Sequence, residues 1–313
     1  MSKAKQLLKK SIAQHTLVYD AFSILLTKLG YADINLAGQN ARYRSFKKLE
    51  KKYSKYIGKT EFKHYAGDER QRVWTCWLQG MESAPALVKA CYASMQYYID
   101  DFEIVVITAD NYKDYVTLPD YIIDKWQKGI ISNTHFSDIL RLELLIEHGG
   151  LWLDATTYLT DRLPEYISKS DFFVYRDGFF ECEVINMGNW LIKSNADNIL
   201  LQETQSLLLK YWKEHNYLAN YFIFQFFFRM VTSYYSDIWK SVPYFNQINA
   251  HIFQMELCDS FNKKRFNELK SLTPIHKLSY KIDEEGLKPD SYYNLIDKLL
   301  LLDNEKQNEE NNK

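Results

Sequence analysis

A chain of 313 residues with 46% hydrophobic and 25% charged residues has the composition of a globular protein that can bury a substantial core. Its cysteines, Cys76, Cys91, Cys182 and Cys258, include no C-x-x-C pair, which argues against a zinc site or a disulfide framework. The net charge of −1 hides an asymmetry, because residues 1–65 hold 14 Lys or Arg and 4 Asp or Glu, a net of +10, which leaves −11 for the remainder.

Residues 1–68 are predicted to form a basic helical extension ahead of the main domain. Apolar residues recur at helical spacing over 7–12 and 18–29, with Gly30 as the expected stop. A second, basic helix is expected over 41–56. Such a segment suits an anionic partner, either a membrane surface or nucleic acid, although a solvated helix face without a partner fits the same charges.

Residues 69–302 are predicted to form an α/β domain, followed by a polar, disordered tail over 303–313. A strand over 73–78, a helix that starts at Pro85 and a β-branched strand over 103–108 make one βαβ unit. Neither G-x-G-x-x-G nor G-x-x-x-x-G-K-S/T is present, which disfavours dinucleotide and P-loop binding. The elements expected next are a helix over 138–148, strands over 151–153, 171–175 and 190–193, and helices over 195–214 and 221–235.

The most specific pattern in the chain is HFSDILRLELLIEHGGLWLDATTYLT. Ser137 is a natural N-cap for an apolar helix, and Gly149 suits the left-handed turn that ends it. Asp138 and Arg141 are three residues apart, so both are expected on one face of the first helical turn. A short apolar strand then delivers Asp154 at its carboxyl end, where ligands bind in open α/β sheets.

This pattern resembles glycosyltransferases that carry S-D-x-x-R followed by G-G-x-x-x-D-x-D. It is still more similar to bacterial capsular polysaccharide synthesis proteins, whose version ends in D-A-T, as Asp154 to Thr156 do here. The segments WTCWLQG over 74–80 and PIHKL over 274–278 resemble the first strand and the C-terminal motif of that family, and the resemblance covers about residues 73–281. It implies a nucleotide-sugar-binding fold of the GT-A type, a DXD-like motif and an enzyme of the hexosyltransferase type.

The resemblance also implies roles for individual residues. Asp154, Asp138 and Arg141 are the catalytic candidates, because a fixed carboxylate accepts hydrogen bonds from sugar hydroxyls and a guanidinium donates in a planar fork. The structural alternatives are a local ion pair between Asp138 and Arg141 and a turn-capping role for Asp154. The donor-binding candidates are Trp74, Trp77, Gln79, Gly80, Ser137, Asp138, Arg141, Thr156, His276 and Lys277.

Two tryptophans mark the first strand of the domain. Trp74 and Trp77 alternate with Thr75 and Cys76, so both are expected on one side of the strand. There one of them could stack on the base of the donor, or both could pack in the core. At the strand end, Gly80 next to Gln79 would let the backbone approach the nucleotide.

A divalent metal, Mn²⁺ or Mg²⁺, is the cofactor that the resemblance implies, since it neutralises the leaving diphosphate and prefers oxygen ligands. Asp154 and His276 are the candidate ligands, although His276 could equally be structural. In the D-x-D families the second aspartate binds the metal most directly, and Thr156 occupies that position here, so metal dependence is left open. Lys277 and Lys281 are candidates for phosphate contact, unless they are ordinary surface lysines.

The predicted function is transfer of a sugar from a nucleotide-sugar donor to a growing, lipid-linked capsular or cell-surface polysaccharide, with retention at the anomeric carbon. The alternative is a non-catalytic nucleotide-sugar-binding subunit of another transferase. No signal peptide is recognisable, and the most apolar stretch, 221–231, is too short to cross a bilayer. We therefore expect a cytoplasmic protein, peripheral at an anionic inner membrane face, and no nucleic acid partner because no such motif accompanies the charge.

Overall fold

The computed structural model describes residues 17–30, 34–68, 71–176, 184–282 and 286–300. Within these residues the chain is a mixed α/β structure with a central sheet, so the predicted fold class is confirmed. Two predicted features lie outside them, namely the apolar positions over 7–12 and the tail over 303–313.

The α-helices of the described residues are α1 (Leu17–Lys28), α2 (Ile34–Tyr53), α3 (Ala86–Tyr98), α4 (Asp120–Gln127), α5 (Asn133–Glu147), α6 (Glu165–Ser168), α7 (Ile199–Glu214), α8 (Ile223–Tyr234), α9 (Ser236–Ser241), α10 (Ile248–Met255) and α11 (Lys263–Leu272). The strands are β1 (Arg72–Cys76), β2 (Glu103–Ile107), β3 (Gly150–Leu153), β4 (Thr157–Leu159), β5 (Phe172–Val174), β6 (Leu191–Ser194) and β7 (Ile275–Lys277).

The central sheet has five strands in the order β2-β1-β3-β6-β5. β1 runs parallel to β2 and β3, while β6 pairs antiparallel with both β3 and β5. A separate two-stranded antiparallel sheet joins β4 to β7. Because β1, β2 and β3 are parallel, their carboxyl ends open at one edge of the sheet, which is where polar side chains can meet a ligand.

The predicted βαβ unit is confirmed by β1, α3 and β2, and Pro85 directly precedes α3 in the N-cap position. The helix predicted over 195–214 begins later, at Ile199. Asp197 adopts a left-handed φ of 63°, and the side chain of Asn198 caps the first turn of α7. A polar turn therefore replaces the first helical residues that the apolar pattern indicated.

The helix that carries the S-D-x-x-R pattern begins one turn earlier than predicted. α5 starts at Asn133 and its N-cap is Ser132, whose hydroxyl accepts from the His135 N–H at 3.4 Å. Ser137 lies inside the helix and its hydroxyl donates to the Thr134 carbonyl oxygen at 2.7 Å. The prediction of Ser137 as the N-cap is wrong, because an earlier serine can cap a longer helix that also buries His135.

The turn from α5 into β3 depends on two glycines. Gly149 and Gly150 have φ angles of 71° and 103°, in the region that favours glycine, which confirms the left-handed turn predicted at Gly149. A Cβ on Gly150 would lie 2.4 Å from the carbonyl oxygen of Arg72 in β1. Glycine therefore lets β3 lie directly against β1, which places the carboxyl end of β3 beside that of β1.

The basic helix α2 packs into the main core rather than apart from it. Its residues Phe46, Leu49 and Tyr53 are buried in the hydrophobic cluster that covers one face of the sheet. The Phe46 ring lies 5.8 Å from Phe226 of α8, and Tyr53 lies 5.3 Å from Phe227. The predicted second helix is thus confirmed, with an earlier start, while the domain boundary near residue 68 stays a prediction.

The aromatic helix α8 confirms the helix predicted over 221–235, and most of it is buried. Ile223, Phe224, Phe227 and Val231 have no exposed surface. Within the part of the chain that the structure describes, no helix combines the length and the apolar character needed to cross a membrane.

Candidate functional site

A pocket of about 390 Å³ opens at the carboxyl ends of β1 and β3. Elements far apart in the sequence form its walls: β1 and β3 of the sheet, the start of α5, the segment before α8 and the residues that follow β7. The predicted site residues that line it are Trp77, Gln79, Ser137, Arg141, Asp154, Thr156, Lys277 and Lys281. Those that lie outside its lining are Trp74, Gly80, Asp138 and His276.

Asp154 is held at this edge by three donors. Its Oδ1 accepts from Arg141 Nη2 and from Trp152 Nε1, both at 2.9 Å, and its Oδ2 lies 3.2 Å from Lys277 Nζ. Burial alone would raise the pKa of Asp154, but the charges of Lys277 and Arg141 and these hydrogen bonds outweigh it, so the pKa is lowered. The carboxylate is therefore ionised, fixed in place and still partly open to the pocket.

Arg141 is a buried support for Asp154. Only 3% of Arg141 is exposed to solvent, and its guanidinium lies 4.6 Å from the centre of the Trp152 ring. Nη1 donates to the Asn189 carbonyl oxygen at 2.6 Å and lies 3.1 Å from Asp138 Oδ1. With both terminal nitrogens bonded to the protein, Arg141 orients the carboxylate and adds positive charge behind it.

Asp138 lies one layer behind Arg141. Besides Arg141, its carboxylate meets Asn189 Nδ2 at 3.0 Å and His135 Nδ1 at 3.4 Å. Asp138 and Arg141 do share one face of α5, as predicted, but they lie beyond the first turn because the helix begins at Asn133. The predicted contact of Asp138 with the donor sugar stays a prediction.

Lys277 reaches the site through the pairing of β7 with β4, in which it is opposite Thr157. Its Nζ donates to the Thr156 hydroxyl as well as pairing with Asp154. The Leu278 N–H donates to the Thr156 carbonyl oxygen at 2.8 Å. The backbone thus ties the C-terminal motif to the D-A-T motif.

His276 points to the other side of β7, as the alternation of a strand requires. It is 1% exposed, its Nε2 lies 3.1 Å from Thr160 Oγ1, and its ring lies 5.4 Å from Phe253. Burial, with a smaller contribution from the charge of Lys270, lowers the pKa of His276 to about 3, so the imidazole is neutral. The structure does not bring His276 together with Asp154.

Metal ligands are sparse around the pocket. Among the described residues, no three His, Cys, Asp or Glu side chains come together in a way that could hold a metal ion. Asp154 is surrounded by cationic and N–H donors, and the Thr156 hydroxyl accepts from Lys277. These residues do not fit a divalent ion held by protein side chains alone, and metal dependence stays a prediction.

The two tryptophans of the first strand face different surroundings. Trp74 is buried, and its Nε1 donates to the Gly149 carbonyl oxygen at 2.8 Å, which is the core role considered for it. Trp77 lies just past β1 at the pocket, with its ring 5.5 Å from Tyr280. The prediction that both face one side is wrong, because strand residues three apart point to opposite sides. Beyond them, Gly80 has a φ of 81°.

Several pocket residues were missed by sequence reasoning. Trp152 could have been found, because it lies two residues before Asp154 on the same side of the strand. Tyr221 and Tyr280 line the pocket, and Asn189 supports both Asp138 and Arg141, but no local pattern marks these three. Their positions depend on how distant segments pack.

Cys76 also lines the pocket and is not a nucleophile. Burial raises the pKa of its thiol to about 12, so the sulfur is protonated at neutral pH. The described cysteines, Cys76, Cys91 and Cys258, are all free. Cys182 lies outside the described residues, so the absence of a disulfide framework stays a prediction.

A family model described as "capsular polysaccharide synthesis protein" matches residues 31–296. The chain belongs to the capsular polysaccharide synthesis family. The membership predicted from the D-A-T pattern is therefore confirmed. The match begins at residue 31, whereas the resemblance seen in the sequence begins near residue 73. The family region therefore includes the basic helix α2 as well as the pocket.

Solved structures offer more distant likenesses to this member of the capsular polysaccharide synthesis family. One, described as "PaToxG Glycosyltransferase", has a TM-score of 0.38 and 14% identity and covers 83% of this chain and 96% of that chain. Another, described as a transferase mutant with two cysteine-to-serine substitutions, has a TM-score of 0.30 and 12% identity and covers 57% of this chain and 90% of that chain. No curated protein matches the chain at a significant level. The family match, rather than these likenesses, carries the assignment.

Proposed function

We propose that this protein is a glycosyltransferase that moves a sugar from a nucleotide-sugar donor to a growing, lipid-linked capsular or cell-surface polysaccharide. The bond between the anomeric carbon and the diphosphate oxygen breaks, and a bond to an acceptor hydroxyl oxygen forms. The products are the glycoside, the nucleoside diphosphate and a proton. One observation supports this above all: Asp154 is held ionised between Arg141 and Lys277 in an open pocket.

The pocket offers a contact for each part of such a donor. The Asp154 carboxylate, with 27% of its side chain exposed, can accept from sugar or ribose hydroxyls. The ammonium of Lys277 suits the diphosphate, and the rings of Trp77, Tyr221 and Tyr280 can stack on a base or a sugar. The resemblance extends the proposal to a GT-A type of site, transfer of a hexose and retention at the anomeric carbon.

The test is donor turnover by the purified full chain. We expect release of the nucleoside diphosphate from at least one of a panel of UDP-, GDP- and ADP-sugars, measured by chromatography, with faster release when a glycan acceptor is added. The transferase proposal is contradicted if the protein binds a nucleotide sugar but releases no nucleoside diphosphate, whether or not an acceptor and a divalent metal are present. It would favour the alternative, a non-catalytic nucleotide-sugar-binding subunit, which Thr156 in place of the second aspartate also fits.

We further propose that the N-terminal helices hold the protein at an anionic cytoplasmic membrane face, where a lipid-linked acceptor lies. On α1, Phe22, Ile24 and Leu25 are each more than half exposed, as is Leu29 just after the helix. The next helix, α2, is rich in lysine and arginine. Exposed apolar side chains near a basic segment suit an anionic membrane surface, with roughly 1 kcal/mol from each cation near the lipid.

Sedimentation with vesicles tests this location. We expect salt-sensitive binding to anionic vesicles, weak binding to neutral ones, and loss of binding when Phe22 and Leu25 are replaced by serine. Deleting residues 1–65 is a poorer test, because it would also remove the buried Phe46 and Tyr53. Equal binding to both vesicle types, or to neither, would leave the basic helix as an ordinary solvated surface.

A further inference from the structure

An ammonium group lies between the first and the third residue of the D-A-T motif. Lys277 Nζ is 3.2 Å from Asp154 Oδ2 and donates to the hydroxyl of Thr156. Thr156 occupies the position at which, by resemblance, the D-x-D families place their most direct metal ligand. In this chain a fixed positive charge of the protein is therefore already present where the motif would otherwise hold a cation.

Lys277 is held in this position by the fold. It lies in β7, paired opposite Thr157 of β4, and only 18% of its side chain is exposed. The neighbouring Leu278 N–H bonds to the Thr156 carbonyl oxygen at 2.8 Å, which secures the same pair of segments. A restrained lysine of this kind loses less freedom on binding a ligand than a mobile surface lysine does.

The charges around the pocket favour an anion over a divalent cation. Among the residues that the structure describes, its lining holds Arg141, Lys277 and Lys281 and a single carboxylate, Asp154. Asp138 lies behind the lining, paired with Arg141, and the balance remains positive when it is included. The Arg141 guanidinium lies 2.9 Å and the Lys277 ammonium 3.2 Å from the Asp154 carboxylate. A divalent cation bound to the same carboxylate would be repelled by both positive charges.

We infer that Lys277 takes the place of the divalent metal and binds the diphosphate of the donor, so that the protein binds its nucleotide sugar without a metal ion. The inference rests on the proposed function and deepens it by naming the group that neutralises the diphosphate. Lysine is an established phosphate-binding residue in proteins, acting as a point charge.

Calorimetric titration with UDP, GDP and ADP tests the inference without relying on turnover. For the full chain, we expect the Kd of the nucleotide that binds to differ by less than about twofold between EDTA and MnCl₂. Lys277→Met should weaken that binding by about tenfold or more, the scale of one lost charge-assisted contact, and Lys277→Arg should restore part of it. The matched control is Lys240→Met, because Lys240 lies on α9 with 75% of its side chain exposed.

A double variant tests the inference by a gain of metal binding instead of a loss of nucleotide binding. Thr156→Asp with Lys277→Met gives the motif a second carboxylate and removes the ammonium, so we expect nucleotide binding to require Mn²⁺ and direct titration to show Mn²⁺ binding. Circular dichroism and Tm measurements establish that each variant is folded. Absence of any Mn²⁺ effect in the folded double variant would count against the inference.

The outcomes separate the two proposals. If the wild-type chain binds the nucleotide only with Mn²⁺, or if folded Lys277→Met binds as tightly as the wild type, the inference is overturned while the glycosyltransferase proposal stands. If the wild-type chain binds none of the nucleotides under either condition, the proposed donor site and the inference both fail.

Discussion

Two carboxylates near helix α5 lie in opposite surroundings. Asp154, at the end of β3, faces the guanidinium of Arg141 and the ammonium of Lys277, which lower its pKa in spite of burial. Glu143, on α5 itself, is 5% exposed and lies near another carboxylate, Glu147. Burial first, and then the charge of Glu147, raise the pKa of Glu143 to about 8.

One helix separates these environments. Arg141 and Glu143 are two residues apart on α5, so their side chains point about 200° apart around the axis. One faces the pocket, and the other faces α7, where Glu143 accepts from Gln205. The comparison teaches that the charge of a carboxylate depends on which groups the fold places opposite it. Asp154 is fixed in its ionised form by two cations, whereas Glu143 is only buried, and this difference marks Asp154 as the residue of the candidate site.

The largest expected effect comes from removing the charge at the pocket. Asp154→Asn should lower sugar transfer by at least about tenfold, because the amide leaves Arg141 and Lys277 without a counter-charge and removes an acceptor for the donor. Initial rates measured with the wild-type donor check this. The matched control is Asp237→Asn on α9, whose side chain is 95% exposed. Wild-type turnover by folded Asp154→Asn would remove Asp154 from the site.

A double-mutant cycle on the pair behind Asp154 should give the next largest effect. Asp138→Asn and Arg141→Gln should each lower transfer several-fold, and the double variant should be little worse than the worse single variant. The physical reason is that both side chains act through one hydrogen-bonded unit, in which Arg141 Nη1 lies 3.1 Å from Asp138 and both residues bond to Asn189. Strictly additive losses would show two independent roles.

A separate effect, on stability instead of transfer, is expected at the other carboxylate. A folded-state pKa of about 8 for Glu143 means that the folded protein binds more protons than the unfolded chain between about pH 5 and pH 8. Stability should therefore fall as pH rises through this range, by up to about 1.4 kcal/mol per pH unit from this one group. Glu143→Gln should flatten that dependence.

Urea unfolding at several pH values measures this difference. The variant should gain stability relative to the wild type as pH rises from 5 to 8, whereas Glu165→Gln, at a side chain that is 80% exposed, should not. A difference between variant and wild type that is the same at pH 5 and pH 8 would show that Glu143 is ionised throughout and that the two carboxylates are alike.

The sequence predicts the pocket carboxylate better than the residues that support it. Asp154, Gly149 and the βαβ unit follow from local patterns: a glycine turn, a short apolar strand and β-branched runs. Local patterns place the start of α5 too late because Ser132 and Ser137 are both chemically suitable N-caps, and only the packing of the added turn decides between them.

Long-range contacts explain most of what local patterns could not predict. Alternation along β7 indicates that His276 and Lys277 face opposite sides, but only the pairing with β4 decides which of them meets Asp154. Asn189 supports Asp138 and Arg141 from a different segment of the chain, with no pattern of its own. Its role depends on tertiary packing alone.

The pairing of β4 with β7 also sets the order in which the pocket is completed while the chain is being made. Thr156 and Lys277 are 121 residues apart, and at about 5–20 residues per second a ribosome needs roughly 6 to 24 s to travel from one to the other. Contacts of such separation carry a large loop-closure cost and form late. A nascent chain therefore carries the whole D-A-T motif for several seconds before Lys277 is made, and a message truncated between codons 156 and 277 encodes the motif with Arg141 but without Lys277.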